Sequence, residues 1–152
     1  MQLPVEVQNK IGERPYQLDD VGLSGSQVLL FDDMVLKIQP ESQESQNEYS
    51  IMRWLAGKLP VPKVLCHEVV NGISYLLMTR VDGKMSCDLS FINNPDQLVS
   101  VLTEGLRNLW SVDISDCPYD SSLDQPLAAA EHNVKNGLVD LDNVQPDTFG
   151  EN

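Results

Sequence analysis

The residues best suited to chemistry in this sequence are a lysine and a glutamate, Lys37 and Glu48. Lys37 stands in the apolar run 34–38, where alternation puts Met34, Leu36 and Ile38 on one face of a strand and Val35 and Lys37 on the other. A lysine there either lays its stem along the sheet and reaches water, or serves a bound anion. Glu48 falls in the stretch 45–56, where Glu48, Ile51, Met52 and Leu55 recur at the i, i+3, i+4, i+7 spacing. One helical stripe therefore holds a carboxylate among three apolar side chains. An ionised carboxylate on a packing face is costly unless a cation meets it, and the strand lysine is the candidate.

A segment of small residues, Gly22-Leu-Ser-Gly-Ser26, stands just before this strand pair. Residues 28–31 and 34–38 flank Asp32 and Asp33 as a hairpin, and the small residues ahead of it leave backbone N–H groups open to close approach by an anion. The same letters are also ordinary turn chemistry. A loop before a hairpin, a lysine on its second strand and a helical glutamate shortly after it are together the parts of a kinase nucleotide lobe, where the ion pair holds the lysine against phosphates.

The elements that must position these groups follow in order. Residues 3–11 read as a short helix with Pro4 in its first turn and Gly12 at its end, and residues 16–20 as a first strand. After the helix carrying Glu48, Gly57 marks a stop and the prolines at 60 and 62 force an extended connection. Residues 64–70 and 73–80 then flank Asn71-Gly72, the dipeptide suited to a type I′ hairpin turn. The order is β, β, β, α, β, β. The last strand runs into Asp82-Gly83 and a more polar composition; residues 79–81 fit a hinge that pairs with a base through backbone groups, and fit a plain strand end equally well. Asn94 caps and Pro95 opens a helix to about residue 111, whose stripe of Leu98, Val101, Leu102, Leu106 and Leu109 is expected to be core. A loop, 113–122, precedes a further helix over about 123–136.

Composition narrows the function classes. The chain has 152 residues, 41% of them hydrophobic, and a formal net charge of −13, which argues against nucleic acid and anionic membrane as partners and suits a cationic ligand. Nine acidic residues against the single base Lys135 fall between residues 113 and 152, a pattern that otherwise reads as a solvated face. Three cysteines, Cys66, Cys87 and Cys117, are widely spaced, so neither a disulfide framework nor a zinc site is expected. With no signal-peptide pattern at the start and no run of membrane-spanning length, a cytoplasmic location follows by default.

Three runs carry a family resemblance: Leu55-Ala-Gly-Lys-Leu-Pro-Val-Pro-Lys-Val-Leu65, Leu76-Leu-Met-Thr-Arg-Val-Asp-Gly83 and Asp113-Ile-Ser-Asp-Cys-Pro-Tyr-Asp-Ser-Ser-Leu-Asp124. They resemble the aminoglycoside 3'-phosphotransferases, bacterial resistance enzymes with a protein-kinase-like fold. The resemblance implies that Lys37 holds the α- and β-phosphates of ATP, that Glu48 is its helical partner, and that Ser24 and Ser26 belong to the loop covering the phosphates. It implies Met78 at the gatekeeper position, with Arg80 and Val81 supplying hinge backbone to adenine. Asp140, Asp142 and Asp147 resemble the acidic loop that receives the cationic drug. Val35 stands where some relatives carry an aromatic under adenine, which puts stacking in doubt. The family's His-Gly-Asp catalytic loop and its magnesium ligands do not occur in these 152 residues; His67 and His132 stand in other contexts and read as structural or surface residues.

The fold class expected is therefore α+β and kinase-like: a five-stranded antiparallel lobe with one helix over residues 1–81, then a hinge and the first helices of a helical lobe over 82–152. The expected function, in the complete enzyme, is transfer of the ATP γ-phosphoryl group to a 3'-hydroxyl of an aminoglycoside. Mg²⁺ is expected there with ligands outside this chain, which is expected to be an inactive N-terminal portion. Two alternatives remain open: a related small-molecule kinase, and a non-catalytic nucleotide-binding or interaction module.

Overall fold

The computed structural model describes residues 3–19, 26–119 and 122–139. The chain divides into two compact units, Met1–Pro118 and Tyr119–Asn152. The first contains α1 (Val5–Ile11), β1 (Gln17–Asp19), β2 (Gln27–Leu30), β3 (Met34–Pro40), α2 (Gln43–Leu55), β4 (Val64–Val70), β5 (Ile73–Thr79), α3 (Leu89–Ile92) and α4 (Pro95–Trp110); the second contains α5 (Asp124–Lys135). The five strands form one antiparallel sheet in the order β1-β2-β3-β5-β4, so β3 and β5 are its central pair. The sheet ends at Thr79 and the later elements are helices; compactness divides the chain further on, between Pro118 and Tyr119.

Alternation along β3 decides which face becomes core. Met34, Leu36 and Ile38 are buried, and they join Leu29, Phe31, Tyr75 and Leu77 beneath Val7 and Ile11 of α1. Leu36 and Leu77 are paired in register and both fully buried, each worth about 1.5–3 kcal/mol of removal from water. Val7 and Ile11 stand one helical turn apart, which is how so short a helix puts two side chains on one surface. The opposite face of the sheet, with Val28, Leu30, Val35, Lys37, Leu76 and Met78, is the one toward which α2 turns.

Two local signals act as their chemistry dictates. Asn71 and Gly72 have φ of 52° and 75°, the left-handed pair a type I′ turn requires, and β4 and β5 pair on either side of them. Asn94 accepts from the Gln97 amide at 3.3 Å and Pro95 takes the first position of α4. Helix α2 starts earlier than its apolar stripe: Ser42 and Ser45 form a reciprocal capping box, with Ser45 occupying the place more often held by Glu or Gln.

The stripe on α4 corrects the expectation of a core. Val101, Leu102, Leu106 and Leu109 are 49%, 53%, 47% and 48% exposed. Periodicity establishes that a helix is amphipathic; it does not supply the surface that covers it. Among the described residues no helix is long and apolar enough to cross a membrane.

Candidate functional site

Lys37 lies in the middle of β3, flanked in register by Val28 of β2 and Leu76 of β5. Its Nζ stands 2.8 Å from Glu48 Oε1 and 2.9 Å from Oε2, so the ammonium sits almost on the bisector of the carboxylate. The two side chains are 23% and 28% exposed. The pair is sheltered more than a surface ion pair, while a ligand on the open face can still reach the ammonium. The costly carboxylate expected on the α2 stripe thus has the strand lysine as its partner.

A third group completes the arrangement. Gln39, two residues after Lys37 and on the same face of β3, donates from Nε2 to Glu48 Oε2 at 2.9 Å. Sequence reasoning passed over Gln39, although its i+2 spacing from Lys37 was the signal available. Helix α2 is held over this face by a further contact: the Tyr49 ring stacks on His67 of β4 with centroids 4.1 Å apart, and His67 Nε2 shares a 3.1 Å hydrogen bond with the buried Ser74 hydroxyl. Burial pushes the His67 imidazole below its ordinary value of 6.5, outweighing the opposing Glu41 carboxylate, so a neutral ring is favoured. Of the two readings open for His67, structural or surface, these contacts fit the structural one.

Beside Lys37 the same face is aliphatic. Leu30, Val35 and Met78 are neighbours in register across β2, β3 and β5, with Val64 beyond Met78. Met78 is buried while Leu30 and Val35 keep part of their surface. Such a shelf suits a flat apolar ring through burial, without an aromatic partner.

The chain leaves β5 tied at both sides. Thr79 exchanges hydrogen bonds with Lys63, its amide donating to the Lys63 carbonyl and its hydroxyl accepting from the Lys63 amide, each at 2.9 Å. The Arg80 amide donates to the Asp33 carbonyl and its guanidinium to the Phe31 carbonyl, both at 2.9 Å, so Arg80 is clamped to the β2–β3 turn. That amide is committed, and the next donor along the chain is that of the exposed Val81. Ser26 lies immediately ahead of β2, whereas Ser24, Asp140, Asp142 and Asp147 lie outside the described residues.

One group of close metal-ligating atoms occurs among the described residues: Glu6, Cys66 and Glu68, within 4.8 Å of one another. Cys66 packs against the α1-side core, so this group is on the face away from Lys37. Burial first, then the carboxylates of Glu68 and Glu6, push the Cys66 thiol up, which keeps it protonated.

The model of the phosphotransferase enzyme family matches residues 16–148, and the chain belongs to that family. It is 42% identical over 106 residues to an aminoglycoside 3'-phosphotransferase of Enterococcus faecalis, covering 68% of this chain and 40% of that protein. It is 31% identical over 144 residues to an aminoglycoside 3'-phosphotransferase of Niallia circulans, covering 90% of this chain and 55% of that protein. The chain thus spans about half the length of the curated relatives it matches. Among solved structures, an aminoglycoside-3'-phosphotransferase of type VIII superposes with a TM-score of 0.63 at 25% identity, over 96% of this chain and 58% of that one. An aminoglycoside phosphotransferase of Streptomyces rimosus, at 20% identity and a TM-score of 0.65 over 93% of this chain and 53% of that one, shares the fold. The five-stranded antiparallel lobe followed by helices is the kinase-like arrangement of these enzymes.

Proposed function

We propose that this chain is the nucleotide-binding portion of an aminoglycoside 3'-phosphotransferase, acting in the cytoplasm on ATP and an aminoglycoside. The observation that carries the proposal is the half-buried pair of Lys37 and Glu48 beside an aliphatic shelf, in a chain matched to the phosphotransferase family over most of its length. Residues 1–81 form the nucleotide lobe, and residues 82–152 form the hinge and the start of the substrate lobe.

The residues present fit ATP. When bound, it supplies the phosphoryl group that is transferred to the 3'-hydroxyl of the drug. Lys37 neutralises phosphate charge and Glu48 keeps its ammonium on the open face. Leu30, Val35 and Met78 take the adenine ring, Val81 reads its edge through the backbone, and Ser24 and Ser26 close over the phosphates. Mg²⁺ does not fit on the described residues: the group at Glu6, Cys66 and Glu68 pairs a thiol with two carboxylates on the other face, so no step is assigned to a metal here.

Asp140, Asp142 and Asp147 form one wall of the aminoglycoside site. Carboxylates concentrate a polycation and orient it through charge-assisted hydrogen bonds. Replacing Asp140 and Asp142 by Asn should weaken kanamycin binding, and binding should fall steeply with ionic strength. The test of the proposal as a whole is thermal unfolding with ATP present. ATP should raise the Tm of the wild-type chain clearly more than that of Lys37→Ala; equal shifts in both would overturn it.

A further inference from the structure

We propose that Gln39 is the positioning residue of the nucleotide site, fixing Glu48 and, through it, the Lys37 ammonium for a ligand's phosphate groups; the assignment rests on the proposal of an ATP site above. Glu48 is carried by α2, Lys37 and Gln39 by β3, and the contact between the two elements at this point is made by side chains alone. A lysine on the bisector of a carboxylate leaves that carboxylate able to swing around it. Gln39 removes this freedom, because it holds Oε2 at 2.9 Å from one pleat further along the same strand. Two donors on one rigid strand then fix both the position and the plane of the carboxylate.

The amide suits this task better than a charge would. A second cation at position 39 would share the carboxylate with Lys37 and repel it, and a carboxylate would draw Lys37 away from Glu48. An amide donates one hydrogen bond, adds no charge and does not titrate. When phosphate oxygens attract the ammonium, Glu48 resists being dragged with it because Gln39 still holds it. Gln39 itself touches no ligand atom in this scheme, so it acts only through Glu48 and Lys37.

The test uses Gln39→Leu, which keeps the side-chain bulk and removes the donor, with folding checked by circular dichroism. Binding of ATP and of adenosine to the 152-residue chain is measured for wild type, Gln39→Leu, Lys37→Met and the double variant. Gln39→Leu is expected to weaken ATP about fivefold, less than Glu48→Gln does, and to leave adenosine within about twofold, because the lost hydrogen bond acts on ATP only through Glu48 and Lys37. In the Lys37→Met background it should have no further effect. Unchanged ATP affinity, equal losses for ATP and adenosine, or full additivity with Lys37→Met would each overturn the role of Gln39. If wild type binds neither ligand, the ATP site falls, and Gln39 is judged by NMR of the ¹³C-methylated lysines. The Lys37 resonance should then move in Gln39→Leu in the same direction as in Glu48→Gln; a resonance unmoved by Gln39→Leu would overturn the positioning as well.

Discussion

The indole of Trp54 donates from Nε1 to Asp116 Oδ1 at 3.0 Å, across 62 residues of chain. The same oxygen accepts from Lys58 Nζ at 2.5 Å, and the Lys58 ammonium lies 4.1 Å from the Trp54 ring centroid. One carboxylate thereby ties the end of α2, the helix that carries Glu48, to the loop after α4. Hydrogen bonds from Lys58 and then Trp54 hold the Asp116 carboxyl below its ordinary value of 3.8. Because the folded value is depressed, the contribution of this contact is present above pH 3.8 and lost as the pH falls through the folded value. In a ¹³C carboxyl titration the Asp116 midpoint should lie below 3.8, and Lys58→Met should raise it more than Trp54→Phe. A midpoint unaffected by both variants would show that the contact does not persist in solution.

His67 carries a second pH dependence, of opposite origin. Its folded value is depressed by burial, so the unfolded chain takes up a proton more readily than the folded one below pH 6.5. Stability should therefore decline as pH drops from 7 through 6.5 and below, and His67→Gln, which can still bond Ser74, should remove that part of the decline. Urea unfolding at a series of pH values measures it. Identical pH profiles for wild type and His67→Gln would contradict the burial argument.

The exposed stripe on α4 should make the chain associate. Leu102, Leu106 and Leu109, with the still more exposed Val99 and Trp110, leave an apolar surface along one side of the helix. Replacing Leu102 and Leu106 by Glu should hold the protein monomeric at concentrations where wild type self-associates, without loss of helix content. Sedimentation equilibrium decides the matter, and a wild-type chain that stays monomeric at high concentration would contradict it.

How much could be read beforehand follows from the range of each signal. Strand alternation and helical periodicity act over a few residues, and they were enough to put Lys37 and Glu48 on facing surfaces, where the 2.8 Å contact is found. The Asn71-Gly72 turn was legible because φ above zero at two successive positions admits few residue types. The i+2 spacing of Gln39 from Lys37 puts it on the same face, but a lone glutamine has no pattern that names its partner, Glu48. Asp116 was equally hidden, because a contact made 62 residues away leaves no trace in local spacing. The four-residue helix α3 is too short to show a period. For α4 the pattern gave the helix and its stripe correctly, while the covering surface is a tertiary property that no single segment encodes.

Calorimetric titration of the 152-residue chain with ATP decides whether the face carrying Lys37 and Glu48 receives the nucleotide. Wild type should bind one equivalent. Lys37→Ala, which removes the phosphate-neutralising charge and leaves Glu48 unpaired, should weaken binding by at least about tenfold, and Glu48→Gln should weaken it by less. Absence of ATP binding by the folded wild-type chain, or an unchanged affinity in Lys37→Ala, would contradict the claim.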